Sequence, residues 1–326
     1  MLHLKGAQRA TVGGLMKIVF ASLGKGVIAC ALCLAQFHAS LAKEKEPLVL
    51  SPSSKWNLNY ADDSCKLARF FGTGDDRVAV IISRFESGNS FHLAVAGKPL
   101  THFSADHITM AFGPDGGSLN RGFMAGSLGT FKPALFGSAA HLLKRDDNDE
   151  TEDDNYNHEE HAAYTLRDLQ APPAADEEAA IQWLEVRQKA RATVHIELGS
   201  MGQPMAAMRK CTDELMTHWG IDVAAHRQLA NLPIPTKSPG KWLTSADYPS
   251  DLQARGAQGI IQFRLSVDAD GKPTQCHIQQ SSRPAGFDRA VCKALMKRAQ
   301  FEPAHTRDGK AIASYWRSTV KFVAGR

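Results

Sequence analysis

The side chains best equipped for chemistry are six cysteines, which could pair, bind a metal or act as nucleophiles. Cys30 and Cys33 lie inside an apolar run, so their C-x-x-C spacing reads as incidental and not as a redox motif. The other four, Cys65, Cys211, Cys276 and Cys292, form an even set that can be joined in three ways. A metal site is the rival reading of these four, but they contain no C-x-x-C pair. His158 and His161 beside Glu159 and Glu160 could meet a divalent cation. Nine acids crowd residues 146–160 around them, which instead reads as a solvated or disordered surface loop that does not hold ligands in place. The run Asp268-Ala-Asp-Gly-Lys-Pro has the acids of a calcium loop without the spacing, and is read as a turn. No G-x-S-x-G, H-E-x-x-H or phosphate-binding loop occurs, and Gly72-Thr-Gly74 lacks the third glycine of a dinucleotide loop. The expectation is a non-enzymatic protein with no cofactor and no metal.

The elements that would position these residues divide into two sets. Trp56 to Tyr60, Val78 to Arg84 and Phe91 to Val95 are strand-like runs separated by turn residues, which predicts a β meander. Asp176 to Arg191 carries helical periodicity, Thr193 to Glu197 alternates as a strand, and Gln203 to Trp219 reads as a second helix stopped by Gly220. Residues 231–240, Asn-Leu-Pro-Ile-Pro-Thr-Lys-Ser-Pro-Gly, hold three prolines, a composition that neither continues a helix nor pairs well in a sheet. They are therefore read as a linker between a β-rich domain over 43–230 and a smaller domain over 241–326. Keeping each disulfide within one domain joins Cys65 to Cys211 and Cys276 to Cys292. The shorter loop would contribute roughly 3 kcal/mol in the chain-entropy picture.

Charge supports two modules. The chain has 326 residues, 38 Lys+Arg and 34 Asp+Glu, with 43% hydrophobic and 22% charged residues, an ordinary globular composition. Four bases and no acid precede Lys43, so the rest of the chain is balanced. Residues 241–326 nevertheless hold 14 bases against 7 acids, and the middle of the chain is correspondingly acidic. Lys17 to Ala42 reads as a secretory signal: a basic start, an apolar run from Gly26 to Phe37, and Ser40-Leu41-Ala42 as a cleavage site. A retained N-terminal anchor is the alternative, and Val27-Ile28-Ala29-Cys30 also has a loose likeness to a lipoprotein box. Export makes nucleic acid a poor partner for the basic module. Anionic lipid or cell-wall surfaces are the better rivals.

The final 70 residues are the most regular. Ile261, Phe263, Leu265 and Val267 alternate with Gln262, Arg264 and Ser266, predicting a strand with one core face and one wet face. Cys276, Ile278 and Gln280 share a face of a second strand, and Phe287, Val291, Ala294 and Leu295 form the buried stripe of a helix to Arg298. A last strand sets Trp316, Val320 and Phe322 on one face and Tyr315, Arg317, Thr319 and Lys321 on the other. With a short helix near Tyr248-Pro249 the module is αββαβ. The fold class expected for the whole chain is α+β, a β-rich N-terminal domain with two late helices followed by this small domain.

The order of these elements resembles the C-terminal domain of the TonB family of periplasmic energy transducers. The likeness is carried by Tyr248-Pro249, Ala254-Arg255-Gly256, the Gly259 to Val267 strand, Asp268 to Gly271, Ile278 with Ser281-Ser282, Phe287-Asp288, Phe301-Glu302-Pro303-Ala304, Asp308-Gly309 and Val320-Lys-Phe322. The resemblance implies that an outer-membrane transporter segment adds as a strand to an exposed sheet edge, near Tyr248 and Pro249 and along Tyr315 to Phe322. Arg317 and Lys321 would then complement an acidic partner, while Trp316 and Phe322 are expected in the core. Motor proteins of the inner membrane are implied as partners if the leader is retained. The chain departs from a standard transducer in three ways. It has no Ser-x-x-x-His pattern in the leader, a globular domain replaces the long spacer, and a cysteine pair is added to the module. A periplasmic module that contacts the cell wall or another envelope protein and transmits no force is the second reading.

Overall fold

The computed structural model describes residues 45–100, 108–120, 123–144, 166, 172–188, 192–281 and 284–323. The leader with Cys30 and Cys33, and the acidic stretch 146–160 with His158 and His161, lie outside the described residues. No helix among the described residues is long and apolar enough to cross a membrane.

The first part of the chain forms β1 (Leu48–Leu50), β2 (Asn57–Ala61), β3 (Ser64–Phe71), β4 (Val78–Arg84), β5 (Ser90–Gly97), β6 (Ile108–Gly113), β7 (Ser118–Leu119), β8 (Met124–Leu128) and β9 (Phe131–His141). After a helix at Ala175–Ala180 come β10 (Trp183–Gln188) and β11 (Val194–Glu197). A six-stranded sheet runs β2-β3-β4-β5-β9-β8, and a five-stranded sheet runs β1-β11-β10-β6-β7. Alternation makes both. Cys65, Leu67 and Phe71, then Val78, Val80 and Ile82, then Phe91, Leu93 and Val95 point inward from the first sheet, and Met110, Phe112, Leu184, Val186, Val194 and Ile196 are buried in the same core from the second.

The helix Gly202–His218 closes this core with Met205, Met208, Cys211 and Leu215, a stripe at helical spacing. Gly220, at φ 79°, ends it: its N–H donates to Thr217 O (2.9 Å) and that of Ile221 to Met216 O (3.0 Å), satisfying the terminal carbonyls. Cys65 of β3 is bonded to Cys211 of the helix, with Cα atoms 6.1 Å apart. Closing so long a loop is worth about 5 kcal/mol in the chain-entropy picture.

The single helix expected over 176–191 is corrected. Only Ala175–Ala180 is helical, and Trp183–Gln188 is a strand paired on both sides, with β6 (Leu184↔Phe112) and β11 (Leu184↔Ile196). Short apolar runs satisfy either period locally, and here two waiting sheet edges decide.

The C-terminal part contains β14 (Gly259–Val267) between β15 (Pro273–Ser281) and β19 (Ser314–Phe322), a short helix Ser250–Ala254 before them and the helix Gly286–Arg298 between β15 and β19. Phe287, Val291 and Leu295 of that helix pack on Ile261, Phe263 and Leu265, and Cys276 is bonded to Cys292 with Cα atoms 5.6 Å apart. The αββαβ order expected from sequence is present, with short strands β16 (Phe301–Glu302), β17 (Ala304–Thr306) and β18 (Ala311–Ile312) added.

Residues 231–240 differ from the expected linker. β12 (Leu229–Asn231) pairs with β17, and β13 (Ile234–Pro235) pairs with β16. Asn231 Nδ2 also donates to Leu232 O (3.0 Å) and Pro303 O (3.1 Å). Short edge pairings tolerate proline because only some backbone N–H groups are needed. The stretch is thus a seam attached along the C-terminal module, and residues Glu44–Arg326 form one compact unit.

Candidate partner-binding edge

The three-stranded sheet has a core face and an outer face. On β14 and β19 the outer face carries the cross-strand pairs Gln262↔Thr319, Arg264↔Arg317 and Ser266↔Tyr315. Sequence patterning predicts that this face meets water, but much of it meets residues from the N-terminal half of the chain. Arg264 is 1% exposed; its Nη2 donates to Asp63 Oδ1 (3.1 Å), its Nη1 to Ser266 Oγ (3.0 Å), and its guanidinium lies 3.8 Å from the Trp219 ring centroid. Burial lowers its pKa, opposed by Asp63. Arg317 donates to Glu86 and, through Nε, to Gln279 Oε1 (2.7 Å), and Gln279 Nε2 donates to Phe85 O (3.2 Å).

Tyr315 is 3% exposed, edge-on to Trp219 (5.6 Å) and stacked on His226 (5.4 Å), and burial raises its phenol pKa. His226 in turn lies 2.9 Å from Ser314 Oγ, and burial pushes its pKa down to about 4. Two of the residues expected to greet a partner thus have their side chains engaged inside the chain: the acidic complement of Arg317 is Glu86, and Tyr315 is a packing residue.

The outer edge of β19 is a different matter. β19 pairs with β14 along one side, and among the described residues no strand pairs with its other side. In an antiparallel strand every second residue turns its N–H and C=O away from the neighbour, so this edge offers a row of backbone donors and acceptors. It opens on a cavity of about 670 Å³ lined by Tyr315 to Thr319. One wall comes from the N-terminal half of the chain: the end of β4 and the turn after it (Ser83–Glu86), the start of β5 (Ser90–His92), and Ser138–Ala139 of β9. The other comes from the seam, Ala230 to Pro235.

The first wall has a built irregularity. Between the pairs Phe91↔Ala140 and Leu93↔Gly137 the register slips, and Ala139 sits at φ 55°. A bulge of this kind re-aims side chains, and a non-glycine residue in left-handed backbone carries local strain. His92, edge-on to Phe85 at 5.0 Å, has its pKa pushed down to about 4 by burial and by the charge of Arg317.

Of the residues singled out from sequence, Tyr315, Arg317 and Thr319 line the groove, and Thr319 is exposed. Tyr248, Pro249 and Lys321 do not line it. Tyr248 donates its hydroxyl to Ala257 O and packs edge-on against Phe287 (5.5 Å) and Phe322 (5.2 Å), while the Pro249 carbonyl accepts from Leu252 N (3.0 Å) and Gln253 N (2.8 Å). Lys321 is exposed and pairs opposite Ile260. Trp316 is half-buried against Trp242 and Phe301, and Phe322 is buried, as core residues. Sequence reasoning missed Phe85, Glu86, His92, Ser138 and the seam as groove residues; the Glu86-Ser-Gly-Asn turn reveals a turn and nothing of what it faces. Among the described residues no group of His, Cys, Asp and Glu side chains could hold a metal ion.

Comparison with known proteins bears on the C-terminal part of the chain. Residues 244–323 match the family described as Gram-negative bacterial TonB protein C-terminal. Over 62 residues the chain is 37% identical to Protein tonB2 of Pseudomonas aeruginosa, a match that spans 19% of this chain and 23% of that protein. The chain thus aligns with about a quarter of that relative's length. The C-terminal part of this protein is a TonB C-terminal domain, and the chain is TonB-like in that region.

Proposed function

We propose that this is an envelope protein whose TonB C-terminal domain takes an extended segment of an outer-membrane transporter onto the free edge of β19, in support of energised transport across that membrane. The observation that carries the reading is the unpaired outer side of β19 opening on a groove large enough for a peptide. Five residues from Tyr315 to Thr319 offer about 17 Å of strand, the usual length of a pairing unit. Backbone hydrogen bonds along such an edge supply affinity, and pockets for alternate side chains supply selectivity. Thr319 stands at the groove, with Lys321, Tyr248 and Pro249 beyond its far end. The protein resides in the periplasm, and coupling to inner-membrane motor proteins requires that residues 17–38 stay in the membrane. No step of this function is catalytic.

A second reading is favoured by the seam. β12 and β13 pair directly with the C-terminal module, and Arg264 with Asp63 joins the two domains. A module held so firmly to its own neighbour suits a periplasmic protein that contacts the cell wall or another envelope protein and passes no force.

The test is fluorescence anisotropy of labelled synthetic peptides, taken from periplasm-facing segments of TonB-dependent outer-membrane transporters, titrated with the full chain. Because successive N–H groups point to opposite sides of a strand, one of Ser318→Pro and Thr319→Pro removes an outward donor and leaves the β14 ladder whole. Saturable binding that this variant abolishes supports the reading. Absence of binding, or binding indifferent to both prolines, overturns it.

A further inference from the structure

We infer that the groove beside β19 is a two-domain site in which the N-terminal domain selects the partner, and that it takes an extended segment of about five residues bearing no charged side chain at its centre. This rests on the strand-addition reading above and deepens it.

A strand laid along β19 would present alternate side chains to opposite faces of the sheet. On the face shared with Tyr315, Arg317 and Thr319 it would meet Phe85, His92 and Ser138 of the N-terminal domain. On the face shared with Trp316 and Ser318 it would meet the seam. That placement follows from pairing, because Trp316 packs on Phe301, and Phe301 is the strand partner of Pro235. Both sets of side chains would therefore be read, one by each wall.

The charge of the lining decides the chemistry. Arg317 is already matched by Glu86, Arg84 is 2% exposed and donates to Asn89 O (3.2 Å), and His92 is held neutral. What remains is uncharged: the hydroxyls of Ser90, Ser138 and Thr319, the amide of Gln262, whose buried Oε1 has no hydrogen-bond partner among the described residues, and apolar side chains such as Leu232 and Ile234. A charged side chain entering here would lose water while Arg317 and Glu86 are already committed to each other, at a cost that an uncharged one avoids. The bulge at Ser138–Ala139 lies on the same wall, where a strained turn of backbone shapes the opening.

The experiment selects a phage-displayed library of random nonapeptides on the full chain, with each variant's fold checked by circular dichroism and thermal melting. The wild-type protein is expected to enrich peptides whose central residues are uncharged. Ser138 is exposed, so Ser138→Glu and Ser138→Trp leave the core intact. Ser138→Glu is expected to shift the enriched set towards Lys or Arg at one position. Ser138→Trp is expected to weaken wild-type peptides tenfold or more. If both variants enrich the wild-type set with affinities within twofold, while an edge proline in β19 abolishes binding, the N-terminal wall is no selector and the inference falls with strand addition intact. Enrichment of centrally charged peptides by the wild type also overturns it. If binding ignores the edge prolines, or no peptide enriches, strand addition itself fails and the inference with it.

Discussion

The two faces of the C-terminal sheet are made by the same strands under the same alternation, yet they differ in what covers them. On the inner face Ile261, Phe263 and Leu265 pack on the helix Gly286–Arg298, a local partner supplied within 40 residues. On the outer face Arg264, Tyr315 and Arg317 are covered by Asp63, Phe85, Glu86, Trp219 and His226, which come from as far as 231 residues away. Apolar burial holds the first; charge-assisted hydrogen bonds and aromatic stacking hold the second. The inner face makes the module, and the outer face fixes it to its neighbour and thereby builds the groove.

Four perturbations would break or sharpen that contrast. Phe263→Ala, at a site 1% exposed, is expected to cost about 4 kcal/mol, read from urea unfolding, because it leaves a cavity on the inner face. Asp63→Ala is expected to cost about 3 kcal/mol by leaving the buried Arg264 charge without its carboxylate. Adding Arg264→Met to that variant should recover much of the loss, whereas no such rescue applies to Phe263.

Acid comes next. His226 and His92 titrate near 4 in the folded protein and near 6.5 when unfolded, so the unfolded state binds more protons between those values. Their contribution is complete above pH 6.5 and is lost as pH falls towards 4, by up to about 3 kcal/mol for each ring. Unfolding titrations at pH 7 and pH 4.5 would show it, and His226→Gln should flatten the profile. An unchanged slope in that variant would remove His226 from the outer-face contact. Smallest is Glu86→Gln, expected to cost about 1 kcal/mol in the same assay, since a neutral acceptor still meets Arg317.

The contrast also explains what could be read from sequence. The inner face was legible because period-2 alternation in β14 and the 3–4 spacing of Phe287, Val291 and Leu295 need no knowledge of anything distant. Gly220 as a helix stop was legible for the same reason, and the quoted TonB-like motifs lie in this local part of the chain. The outer face was not: Arg264 and Arg317 look like ordinary wet-face cations until Asp63 and Glu86 are brought to them. Residues 231–240 read as a linker because their proline content argues against sheet, while the strands that capture residues 229–235 lie some 70 positions later. Trp183–Gln188 followed the helix Ala175–Ala180 so closely that one period was drawn over both. The groove needs four separated segments at once, around residues 83–92, 138–139, 230–235 and 315–319, so only β19, its one edge with a regular pattern, could be anticipated.

The central claim is that the free side of β19 receives a partner strand. Amide hydrogen exchange of the full chain, with and without a saturating synthetic peptide from a periplasm-facing segment of a TonB-dependent outer-membrane transporter, tests it most directly. The account expects new protection at alternate residues between Tyr315 and Thr319 and little change in β15 on the opposite edge. Protection confined to β15 or to the N-terminal domain, or no protection at a peptide concentration that saturates binding, would contradict it.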